Sequence, residues 1–231
     1  MKRNGGFTLL EVMVAVGLMG VIMTLIWSST SQSMRSKDRT EARDAVFHSG
    51  QVALRKISDD VSAAFLTPRT ITTGTGADVV TRTVPYKTFF IGEDRGERDS
   101  LRFTSLSHMR LVKNSRECDQ TRIAYEVVPN PDDNRLYNVA RREQPWLGEK
   151  AEVVGRSFAL LEGVLSFNLE YYDERKREWV KDWNSDTAED RDKLPVAVRA
   201  SVVFPDPDGG DQTIPFSTAV TLAMWKSPIS F

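Results

Sequence analysis

Histidine, cysteine and carboxylate side chains bind metals, activate nucleophiles and move protons, and this chain has very few of the first two. It has two histidines, His48 and His108, and one cysteine, Cys118, in 231 residues. The histidines show no zinc-ligand spacing and there is no CxxC pair. There is no GxSxG nucleophile elbow and no glycine-rich phosphate loop with its lysine. Gly74-Thr-Gly76 is only a loop fragment. Cys118 alone cannot close an intramolecular disulfide and reads as a small buried hydrophobe. Asp206, Asp208 and Asp211, around Gly209-Gly210, offer the hard oxygen ligands that calcium takes. The same letters specify a hairpin turn between two strands, and the calcium-loop pattern is incomplete. The turn is therefore the first reading and calcium the second. The acidic run Asp186, Glu189, Asp190 and Asp192 is interleaved with Arg191 and Lys193 and reads as a solvated loop. Trp179 and Trp183 each bring a large apolar area and one N–H donor. Core packing is their first reading and partner contact the second. No catalytic residue and no cofactor are expected.

Glu11 is the one chemically conspicuous residue. It stands inside an otherwise apolar run from Phe7 to Trp27. At about 1.5 Å per residue that run makes a helix of about 31 Å, which matches a bilayer core of about 30 Å. A carboxylate inside such a helix costs about 2.5–3.5 kcal/mol, so it needs a partner. Lys2 and Arg3 flank one end and the next charge is Arg35, which places the N-terminus in the cytoplasm. A secretory signal peptide and a plain single-span anchor are the competing readings. The glutamate, and the poor cleavage sites at Ser29 and Ser31, weigh against the first of these.

Other segments must carry the rest. No proline interrupts Met34–Phe65, and Val46, Gly50, Ala53, Leu54, Ile57, Val61 and Ala64 recur at spacings of three and four. That is one apolar face of a helix, and Thr67-Pro68 ends it. The stripe is longer than a small head would cover, so Val46, Ala53 and Ile57 are expected to meet partners. Beyond Pro68 the period changes to two. Residues 70–84 read as a loop with a short strand at 78–84. Strands are expected around Leu101–Ser105, Arg122–Val128, Arg135–Arg142, Leu165–Tyr171, Val196–Phe204 and Thr213–Met224, with Trp179–Trp183 returning beside its predecessor. Pro129–Asn134 and Asp206–Asp211 are turns. The fold class is α+β, a long N-terminal helix packed on antiparallel sheet. With 31 basic and 32 acidic residues there is no nucleic-acid footprint.

The run Gly5-Gly-Phe-Thr-Leu-Leu-Glu-Val12 strongly resembles the N-terminal signature of type IV prepilins and type II secretion pseudopilins. Three later stretches resemble J-type minor pseudopilins. They are Leu136-Tyr-Asn-Val-Ala-Arg-Arg-Glu143, Leu161–Asp173, and Trp179 and Trp183 followed by Leu194-Pro-Val-Ala-Val-Arg199. About 200 residues beyond the arm suit the J type, since other pseudopilins are shorter, or larger and without the glutamate. The resemblance implies a pilin-like fold and cleavage between Gly6 and Phe7 by a prepilin peptidase. It implies N-methylation of Phe7, and a Glu11 that neutralises the N-terminal amine of a neighbouring subunit. The implied division is leader 1–6, membrane and filament-core helix 7–30, extended amphipathic helix 31–66 and periplasmic head 67–231. The implied role is to prime a pseudopilus that exports proteins across the outer membrane. The implied partners are I- and K-type minor pseudopilins, the major pseudopilin filament and the inner membrane. A W-type minor pilin of a type IV pilus is the alternative within the superfamily. A membrane-anchored periplasmic enzyme or binding protein is the alternative outside it.

Overall fold

A computed structural model describes residues 8–68, 70–73, 80–109 and 119–226, with the backbone alone at 70–73 and 80–82. Gly6, Phe7, Gly74, Gly76 and Cys118 lie outside the described residues. The chain forms two compact units, Met1–Val46 and Phe47–Phe231. The second begins twenty residues before the expected head, because the last turns of the helix belong to its core.

Helix α1 runs Leu9–Ser62. Thr8 caps it: the Glu11 N–H donates to Thr8 Oγ1 at 3.3 Å, and Thr8 and Glu11 stand in capping-box spacing. Around the first turns Leu9, Leu10, Met13, Val16, Leu18, Met19, Ile22, Met23, Leu25 and Trp27 are all exposed. A helix apolar on every side needs lipid or other helices around it. This is a helix long and apolar enough to cross a membrane, with mean hydropathy 2.4 in its most apolar stretch. In the second unit α1 buries one face, comprising Gly50, Ala53, Leu54, Ile57, Asp60 and Val61. The helix stops at Ser62, short of the expected Phe65, because the backbone beyond it joins a sheet. Phe65 N–H donates to the Thr104 carbonyl at 3.1 Å and Leu106 N–H to the Ala63 carbonyl at 3.0 Å.

The strands are β1 (Thr70–Thr73), β2 (Val80–Thr83), β3 (Phe90–Glu93), β4 (Ser100–Ser105), β5 (Thr121–Pro129), β6 (Tyr137–Gln144), β7 (Arg156–Val164), β8 (Ser166–Asp173), β9 (Glu178–Val180), β10 (Trp183–Asn184), β11 (Ala197–Pro205) and β12 (Thr213–Thr221). They form a β1–β2 hairpin, a six-stranded sheet ordered β10-β3-β4-β5-β6-β7 and a four-stranded sheet ordered β12-β11-β8-β9. The architecture is α+β, as expected, but with three sheets. Near the end of β7, Gly163 at φ +69° takes a left-handed conformation that a side chain would strain. The short strand expected within 78–84 is β2, while Thr70–Thr73, expected as loop, is the strand that pairs with it. The expected Trp179–Trp183 return is split. Trp179 sits on β9 beside β8, while Trp183 pairs with Gly92 in the other sheet.

Phe65, Phe89, Phe90, Phe103, Ile123 and Val139 are fully buried in the core of the second unit. Val198, Ala200, Val202 and Phe204 alternate along the inner face of β11. Phe90 meets Tyr171 edge-on at 6.0 Å and joins the two larger sheets. Gly50 lets the Phe216 ring against the helix, since a Cβ there would stand 3.1 Å from it. Ala53 and Ile57, each 1% exposed, are covered by the chain's own core. Their assignment as partner contacts is corrected, because the sheets are wide enough to cover that part of the stripe.

Candidate functional site

Glu11 and Asp60 each put a carboxylate where the helical pattern calls for an apolar side chain. Glu11 lies in the apolar arm, in the first turn of α1. Among the described residues no cation lies within ion-pair reach of it. Asp60 interrupts the buried face near the end of α1.

Asp60 is fully buried. It accepts from Arg141 Nε at 2.7 Å, Tyr125 Oη at 2.7 Å and Lys56 Nζ at 2.9 Å. Strand register explains the meeting: Tyr125 and Arg141 are cross-strand neighbours on β5 and β6, both facing the helix. Arg141 also donates to Glu143 at 2.5 Å, and Glu143 pairs with His108 Nδ1 at 2.7 Å. Burial alone pushes the Asp60 carboxyl up, but the Arg141 guanidinium and the Tyr125 and Lys56 donors hold it below the ordinary carboxylate range. Glu143 is treated alike: burial raises it, and Arg141 with His108 brings it lower. Tyr125 is pushed well up, first by burial and then by the Asp60 charge. The result is a chain of paired charges, the hydrogen-bonded arrangement that a buried carboxylate requires. It gives Arg141, first of the arginine-arginine-glutamate run, the task of bolting helix to sheet.

Arg122 on β5 does a different job. It is 2% exposed and faces carbonyls instead of carboxylates. Nη1 donates to Lys150 at 2.6 Å and Glu152 at 3.1 Å, and Nη2 to Lys87 at 2.8 Å and to Gly148. Burial without a counter-charge moves its guanidinium down. One side chain thereby organises the 145–155 loop.

Neither cluster was read from the sequence. An acidic residue three positions after Ile57 on the buried stripe, and an arginine two after Val139 on an inward strand face, were the available signals. Trp183 is 3% exposed, with its indole N–H on the Lys193 carbonyl at 3.1 Å, so its partner assignment is corrected to core. Trp179 is half-buried, with Arg199 4.0 Å above its ring and Tyr172 at 5.4 Å. Val46 is half-buried. Asp206–Asp211 forms a turn. Gly209 N–H donates to the Asp206 carbonyl at 3.0 Å, Asp208 N–H donates to Asp206 Oδ1 at 3.1 Å, and Gly209 has φ +76°. Among the described residues no three histidine, cysteine or carboxylate side chains gather as a metal site.

Residues 28–209 match the family model described as type II secretion system (T2SS), protein J. Residues 1–27 match the prokaryotic N-terminal methylation motif. A similar solved structure is a chain in the crystal structure of the GspK-GspI-GspJ complex from the enterotoxigenic Escherichia coli type 2 secretion system. It is 16% identical, with 76% of this chain and 97% of that chain covered and a TM-score of 0.47. No curated protein matches the chain.

Proposed function

Since the chain belongs to the type II secretion system protein J family, we propose that it works as a minor pseudopilin, a structural subunit in the tip complex that starts a periplasmic filament. The observation that carries this reading is the junction of two matches, a methylation motif over residues 1–27 and protein J from residue 28. In this reading residues 1–6 are a leader removed by prepilin peptidase, and Phe7 becomes a methylated N-terminus. Residues 7–30 anchor the subunit in the inner membrane and later enter the filament core. The head stands in the periplasm and joins I- and K-type pseudopilins above the major pseudopilin. Val46 and Trp179, both half-buried, are the retained partner contacts.

Glu11 is then the assembly switch. Its carboxylate costs about 2.5–3.5 kcal/mol in hydrocarbon, and the new amine of a neighbouring Phe7 offsets that cost only in the correct stagger. The test expresses the full chain with Glu11→Ala in place of the wild type. Processing and membrane insertion are expected to stay normal while secretion falls. Undiminished secretion would remove Glu11 from assembly, and a pilus defect with normal secretion would move the subunit to a type IV pilus.

A further inference from the structure

Beyond α1, the exposed large apolar side chains among the described residues are Met109, Val128, Trp146, Val154 and Phe158. Three of these five, Trp146, Val154 and Phe158, line one cleft of about 820 Å³ together with His108, Glu143 and Arg156. The cleft lies beside the first half of β7, the end strand of the six-stranded sheet. Residues Arg156–Ala159 are exposed on both faces of that strand.

An uncovered strand edge is a template for pairing unless something blunts it. The other end strands of the two larger sheets are blunted. β10 has two residues, β9 has three, and β12 carries Pro215, which has no N–H to offer. The exposed half of β7 has no proline and no lysine, and it carries apolar side chains at Phe158 and Ala159. Val154, Arg156 and Phe158 alternate onto the cleft side. Phe158 is the cross-strand neighbour of Arg141, whose guanidinium lies 5.7 Å from its ring. Among the described residues Arg156 has no ion pair.

We infer that the outer edge of β7 accepts an extended segment of another protein, whose side chains alternate between apolar and acidic. The segment adds as an edge strand along 156–160. Its apolar side chains enter the cleft over Val154, Trp146 and Phe158, and a carboxylate meets Arg156. Backbone hydrogen bonds supply affinity and the alternate pockets supply selectivity. This needs only an edge that pairs with no further strand among the described residues, and the cleft, and it stands whether or not the assembly role does.

The test uses the full chain in detergent micelles with three synthetic nine-residue peptides. One alternates valine or phenylalanine with glutamate, one has lysine for glutamate, and one has proline at the centre of the glutamate peptide. Amide hydrogen exchange is read at residues 156–160. The glutamate peptide is expected to slow exchange there and to bind at least tenfold more tightly than the lysine peptide. The proline peptide is expected to give no protection. In Arg156→Glu, whose exposed side chain holds no core contact, the preference is expected to reverse to the lysine peptide, and Phe158→Asp is expected to weaken both. Absence of protection by every peptide would overturn the inference. So would equal protection by the proline peptide, an unreversed preference in Arg156→Glu, or protection confined to β9 or β12.

Discussion

Replacing Asp60 with asparagine tests the helix-to-sheet bolt with almost no change in shape. The side chain is fully buried, and Arg141, its main partner, is 2% exposed. Removing one member of a buried pair costs about 3–5 kcal/mol, because the other charge is left without compensation. Two features place Asp60→Asn at the lower end. Asparagine keeps an acceptor for Tyr125, and Arg141 keeps Glu143 at 2.5 Å. The expected loss is therefore about 3 kcal/mol. Lys56 holds the same carboxylate but is 41% exposed, so Lys56→Ala should cost under about 1 kcal/mol. The assay is urea unfolding of the full chain in detergent, followed by tryptophan fluorescence. At a slope of about 2 kcal/mol per molar urea, Asp60→Asn should move the midpoint down by about 1.5 M and Lys56→Ala by less than about 0.5 M. Equal shifts for the two variants would refute the argument that burial of Arg141 sets the cost.

The pH profile follows from the same groups. Asp60 and Glu143 are held below their ordinary values of 3.8 and 4.5. They favour the fold above those values and lose that contribution as pH falls through the lower folded values. Acid titration of stability should therefore show a decline beginning below pH 4.5, and a shallower one in Asp60→Asn. Tyr125 stands above its ordinary 10.0, so it favours the fold below that value. Its contribution should fade as pH rises past it, and fade less in Tyr125→Phe. Among the described residues the buried Tyr171 hydroxyl has no hydrogen-bond partner, so Tyr171→Phe should leave the midpoint unchanged or raised. The hydroxyl and the ring edge of Tyr171 both rest against Gly92, so Gly92→Ala should cost about 1–3 kcal/mol by calorimetry, and Tyr171→Phe, which keeps the ring edge, should not rescue it. Arg122→Lys should cost about 2–3 kcal/mol, since an ammonium cannot span four carbonyls. Limited proteolysis should find new cleavage in 145–155.

The long helix, the β5–β6 hairpin and β11 were legible because their apolar spacings are regular. Val198, Ala200, Val202 and Phe204 alternate without a break, and Gly50 to Val61 keeps one face. β3 and β7 were missed because their surroundings break the period. Gly92 is a strand residue with no side chain to show, and Phe158 is apolar yet exposed. The division of Trp179 from Trp183 depends on long-range pairing with β3, which local pattern does not encode. The charged residues of the Asp60 cluster looked like surface letters one at a time. Their meaning comes from the register that places Tyr125 beside Arg141. Glu11 was legible from the opposite situation, a lone carboxylate in a run with no other charge.

The N-terminal peptide and the company of the native protein test the central claim most directly. The full chain, tagged at its C-terminus, is purified from its own membranes after mild crosslinking and identified by mass spectrometry. The account predicts an N-methylated terminus at Phe7, with I- and K-type pseudopilins recovered alongside. An intact Met1, or a terminus near Ser31, would contradict it.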